Sequence, residues 1–192
     1  MAREYDFLPD QDSGDHLDKL LLSQRQRFGL LRWVLFGAMT LVALLVQDVA
    51  GFRVQLLGGG IDLVPCMIFM ITALQGAEQG SIYALLAAVF YYLSGSSPAA
   101  YVIPLITVIA VLTAILRQAA LPRGIGSILL CAAISMLLYE LVVFVIGLIL
   151  GQTVPQRLGS TLFTALWSLF AVPVAYPVLR AIGKMGGETW KE

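Results

Sequence analysis

Apolar residues gather into six stretches, Leu30–Val49, Ile61–Gln75, Ser81–Leu93, Ala99–Leu116, Ile125–Leu150 and Ser160–Ile182, separated by short polar segments. A membrane helix needs roughly 20 apolar residues to cross the hydrocarbon core. The pattern therefore predicts an all-α polytopic membrane protein with six transmembrane helices in one compact bundle. The intervening segments at about Ala50–Gly60, Ser94–Pro98 and Gly151–Gly159 are too small to fold by themselves, and Gly58-Gly59-Gly60 supplies a flexible turn. The expected organisation is a leader over residues 1–28, a membrane domain over 29–183 and a tail over 184–192.

Charge orients this bundle. Threading the chain through a bilayer six times puts ten of its twelve Lys and Arg residues on one face, leaving only Arg53 and Arg157 on the other. Short loops rich in Lys and Arg stay cytoplasmic, so both termini are expected in the cytoplasm of a plasma membrane. Composition agrees, with 59% hydrophobic and 12% charged residues and a mean hydropathy of +0.86, far from the average soluble domain. No basic surface for nucleic acid is present. Cys66 and Cys131 lie inside apolar segments without metal-ligand spacing and read as reduced, buried small hydrophobes.

Six of the twelve acids fall within the first eighteen residues, beside Pro9 and Gly14, which suggests a disordered start. Leu17, Leu20, Leu21, Phe28 and Leu31 then recur at helical spacing beside Lys19, Arg25 and Arg27. They predict either a short amphipathic helix on the cytoplasmic leaflet, with Asp15 as N-cap, or a solvated extension of the first span. The polar leader is too long for a cleaved signal, so the first span reads as a signal anchor.

The spans are not uniform. The second and third are short and divided only by Gly76-Ala77-Glu78-Gln79-Gly80, and Pro65 falls in the first turns of the second. Short, interrupted segments mark substrate sites in some transporters, but two tilted helices in a tight cytoplasmic hairpin fit better. The fifth segment exceeds the required length and should tilt. Pro173 and Pro177 should bend the cytoplasmic half of the sixth.

Candidate chemistry is sparse. The single histidine, His16, sits in the acidic leader, and no Ser-His-Asp set, HExxH or phosphate-cradling glycine loop accompanies it. Catalysis is not expected, nor is a cofactor or metal. Two features stand out. Gly76, Gly80, Ala84 and Ala88 recur every four residues, forming a small-residue face for bundle packing or for a partner's helix. Glu140 lies near the middle of the fifth span, where a charge costs roughly 3 kcal/mol on translocon scales. It should face the bundle interior, be protonated, or meet a donor such as Ser135 or Tyr139. Gln47, Asp62, Arg117 and Arg123 are interfacial, and the two arginines suit lipid phosphates or a partner.

The run from Gln47, through Ile61-Asp62-Leu63-Val64-Pro65, to Gln75-Gly76-Ala77-Glu78-Gln79-Gly80-Ser81-Ile82-Tyr83 resembles the rod shape-determining protein MreD family, small six-span bacterial membrane proteins. The likeness covers about Leu30 to Ile182. It departs where many members carry further glycines and an aspartate late in the third span, because Ala87, Ala88 and Tyr91 stand here. The resemblance implies a non-catalytic role in the cell-elongation complex that directs lateral peptidoglycan synthesis. Its implied partners are MreC, RodA and its transpeptidase, and indirectly the actin-like MreB.

A substrate-binding subunit of an energy-coupling factor vitamin transporter has the same layout. It would need convergent polar groups around a ligand. The candidates, Gln47, Gln55, Ser94, Ser96, Ser97, Gln152 and Glu140, are scattered along the sequence.

Overall fold

The computed structural model describes residues 24–53, 60–120 and 124–184. Expectations for Asp15, His16, Gln55 and Arg123, and for most of the leader and the tail, lie outside these residues. The described chain is all-helical: α1 (Gln24–Arg53), α2 (Leu63–Gln75), α3 (Ala77–Leu93), α4 (Val102–Ala120), α5 (Ile125–Ile149), α6 (Leu158–Ser168) and α7 (Ala171–Lys184). A single 3-10 turn, Pro155–Arg157, precedes α6.

Four helical stretches are long and apolar enough to cross a membrane: Arg27–Val49, Val102–Ala119, Ile125–Ile149 and the run Pro155–Lys184 that holds α6 and α7. Their exteriors suit lipid. On α1 the buried positions are Arg32, Phe36, Thr40, Ala43, Leu44 and Gln47, one helical face, while Val34, Leu41, Leu45 and Val49 point outward. Exposed Ile149, Leu93 and Val174 continue the apolar surface over other helices. Such an exterior would aggregate in water.

The middle of the bundle is α2. Every residue from Val64 to Leu74 is buried, and the helix packs against α1, α3, α4, α5 and α7. A helix apolar on all sides belongs in an interior. At 13 residues it is about 20 Å long, shorter than the hydrocarbon core. Because it is sheathed by other helices, its length need not match the bilayer.

The short second and third segments form an antiparallel hairpin. Gly80, early in α3, lies on Thr72 late in α2, and Tyr91, late in α3, bonds Asp62 ahead of α2. Gly76 alone joins the helices, with φ +87°, a left-handed conformation that glycine adopts without strain. The stripe of Gly76, Gly80, Ala84 and Ala88 is wholly buried. It is thus an internal packing face.

The last segment, expected to bend at its prolines, is divided into two helices just ahead of them. α6 ends at Ser168 and α7 starts at Ala171. Pro173 stands in the first turn of α7, where a missing N–H leaves no hydrogen bond unmade. The break at Leu169-Phe170 is what lets it stand there. Pro177 is inside α7. Cys66 and Cys131 are buried and free.

Candidate functional site

A helix as short as α2, buried at both ends, cannot leave its terminal N–H and C=O groups to water. Neighbouring helices supply the partners. Gln47 of α1 accepts a hydrogen bond from the Val64 N–H at 2.9 Å through its Oε1. The Asp62 N–H donates to Ser168 Oγ of α6 at 2.9 Å, and that hydroxyl donates onward to the Thr164 carbonyl. At the far end the Arg117 guanidinium of α4 donates to the Ala73 carbonyl, a cation at the negative end of a helix.

The Gln47 end carries the candidate chemistry. The Tyr91 hydroxyl donates to Asp62 Oδ1 at 2.9 Å and accepts from Gln47 Nε2 at 3.4 Å. Asp62 precedes α2 as its N-cap but makes no side-chain bond to the helix, because its carboxylate is turned to Tyr91. Glu140 of α5 is 7% exposed and faces the interior, as a carboxylate in mid-span must. Ser135, its expected donor, bonds Thr113 of α4 instead. Among the described residues Glu140 makes no hydrogen bond or ion pair, and its charged neighbour is Asp62. The Tyr139 hydroxyl is buried beside Asp62, Tyr91 and Glu140. Phe69 packs edge-on against the Tyr139 ring, centroids 6.1 Å apart.

The residues proposed for a vitamin pocket go separate ways. Ser94 donates to the Tyr91 carbonyl, and Ser96 donates to Asp48 Oδ1 at 2.6 Å. Ser97 is half-buried, with its hydroxyl oxygen enclosed and unpartnered, and Gln152 is exposed. Only Gln47 and Glu140 enter the same cluster.

The Gly76 end is polar in a different sense. Arg32 of α1, 7% exposed, donates to Gln79 Oε1. A Cβ on Gly76 would lie 2.6 Å from the Gln118 side chain of α4, so the turn fits closely under α4. Arg117, next to Gln118, is part of the same packing through its bond to the Ala73 carbonyl.

Between α1 and α3 the surface opens into an apolar groove of about 220 Å³. Trp33, Gly37, Leu41, Leu86, Ala87 and Phe90 line it. The Thr40 and Tyr83 hydroxyls that border it bond each other, and Tyr83 also donates to the Phe36 carbonyl at 3.1 Å.

Sequence reasoning found Gln47, Asp62 and Glu140 but missed Tyr91, Ser168 and the Thr40–Tyr83 pair. Their signal was available: each is a polar residue within an apolar segment. Among the described residues no group of three or more His, Cys, Asp or Glu could hold a metal ion. What the site offers among the described residues is two carboxylates, Asp62 and Glu140, and several hydroxyls. Family models, curated proteins and solved structures were all compared with this chain, and none matches it.

Proposed function

We propose that this chain is a non-catalytic integral component of the bacterial cell-elongation complex, crossing the plasma membrane six times with both termini cytoplasmic. On this reading the two crossings beyond the four long apolar stretches are α2 and α3, an antiparallel hairpin of which α2 is buried in the bundle and α3 has an exposed apolar face. The resemblance to MreD supplies the complex and its partners, MreC, RodA and its transpeptidase, with MreB reached indirectly. The motif residues that carry the likeness support a structural use. Gln47 and Asp62 tie down the start of α2, and Gly76 and Gly80 let α3 turn back along it.

The observation that carries the reading is the groove between α1 and α3. Lipid provides little hydrophobic drive between helices, so association depends on close packing at small residues. A Cβ added to Gly37 would meet nothing within 4 Å, leaving room for the apolar span of a partner. The groove's hydroxyls are already bonded to each other, so such a span needs no polar group. In a rod-shaped cell depleted of the protein, the wild-type chain should restore the rod. Gly37→Leu, which fills the groove without touching α2, should accumulate in the membrane yet leave cells round. Restoration by Gly37→Leu would remove the groove from the account.

A further inference from the structure

Exposed charge at the Gly76 end of the bundle is mostly positive. The bond between Arg32 and Gln79 sets the start of α1 at this end. The bond from the Asp62 N–H to Ser168 sets the start of α7 beside the start of α2. Packed along α2, α7 therefore runs toward the Gly76 end and finishes there. Arg27 in the first turn of α1, and Arg180 and Lys184 in the last turns of α7, are all exposed. None of the three makes an ion pair among the described residues. Glu78, at the start of α3, is the one exposed acid at this end among them. Because α1 packs against α7, with axes about 8–10 Å apart for helices in contact, the three cations share one face.

A complement lies just ahead in the sequence. From Glu4 to Asp18 the chain carries six acids and no Lys or Arg. This segment precedes the described residues, and only the five from Lys19 to Ser23 separate it from Gln24. Five residues span up to about 17 Å when extended, more than the spacing of two packed helices, so the tether reaches Arg180 and Lys184. So short a tether raises the effective concentration to about the millimolar range. An anionic lipid surface would repel the same segment. We infer that residues 4–18 dock on the basic face of Arg27, Arg180 and Lys184, as a strap across the Gly76 end of the bundle. Seated there, the strap covers cations that otherwise attract anionic headgroups, and so regulates how this end meets lipid. It uses a surface other than the groove between α1 and α3, and its test needs no partner.

The experiment is zero-length carbodiimide crosslinking of the full chain, one copy per phosphatidylcholine nanodisc, read by peptide mass spectrometry. The reagent joins a carboxylate to an amine only where the two touch, and Lys184 supplies the amine. The screening length falls from about 30 Å at 0.01 M salt to about 3 Å at 1 M, so these two conditions bracket the contact. The expected product links Lys184 to an acid between Glu4 and Asp18 at low salt. Three exposed charge pairs of ordinary strength amount to about a tenfold shift in population, so the yield should fall by about that factor at high salt. Arg27→Gln combined with Arg180→Gln leaves both reacting groups in place, and it should lower the low-salt yield severalfold. A wild-type chain that gives no such product overturns the inference and leaves the face to lipid headgroups. So does a yield indifferent to salt or to the paired substitution, which marks chance encounter of a tethered segment. The wild-type salt comparison decides the matter even where the variant fails to fold.

Discussion

The Tyr91 hydroxyl donates a 2.9 Å hydrogen bond to Asp62 Oδ1, joining the end of α3 to the residue that starts α2. With Gln47 bonded to both Tyr91 and the Val64 N–H, it fixes where a short, fully buried helix begins. Asp62→Asn and Tyr91→Phe should therefore couple in a double-mutant cycle. Tyr91→Phe alone leaves a buried carboxylate without its donor, at a cost of about 1–3 kcal/mol. Coupling of about 0.5–3 kcal/mol in unfolding free energy is expected. Additive effects would mean that the bond does not organise the hairpin.

Gln47→Leu retains bulk but orphans the Val64 N–H. An unsatisfied buried backbone donor costs about 1–3 kcal/mol, about 2–4 °C in unfolding midpoint per kcal/mol for a chain of this size. Gln47→Glu keeps the acceptor oxygen but adds a carboxylate beside Asp62, and it should be worse than Leu. A thermal-shift series on the variants ranks them.

At Gly80 an added Cβ would lie 2.7 Å from Thr72 Cγ2 and 3.0 Å from the Thr72 backbone. Overpacking of this kind costs about 1–3 kcal/mol. Gly80→Ala should lower stability, and Thr72→Ser should restore part of it by removing the methyl. Gly126→Ala, where a Cβ meets open space, is the control and should change the midpoint little.

Arg117→Met removes the donor to the Ala73 carbonyl, leaving the end of α2 without its cation. The expected loss is about 1–2 kcal/mol, of the size of helix-end charge effects in partly buried settings. Arg117→Lys should recover most of it if charge dominates. If Lys is no better than Met, the planar fork of the guanidinium is what matters.

Much of this architecture is legible in the chain itself. Apolar runs locate the helices because lipid forces every backbone group into an internal hydrogen bond. The four-residue spacing from Gly76 to Ala88 announces a close-packed face, since helical geometry is local. Glu140 is marked as interior by its cost in hydrocarbon. What stays hidden depends on pairing between segments. Nothing local says that Tyr91 will meet Asp62, that Ser135 will choose Thr113 over Glu140, or that Arg117 will reach back to Ala73. The sixth segment is expected to bend at Pro173 and Pro177; that it divides into two helices instead is hidden for a similar reason. Pro173 signals a discontinuity, but its position in a first turn moves the break upstream to Leu169-Phe170.

The most direct test of the functional account is affinity purification of the tagged chain from its own membranes in mild detergent, with partners identified by mass spectrometry. Recovery of MreC, RodA and its transpeptidase, lost on Gly37→Leu, is the predicted result. Recovery of two ATPases and a coupling membrane subunit in their place would contradict it, and would make the chain the capture subunit of a vitamin transporter.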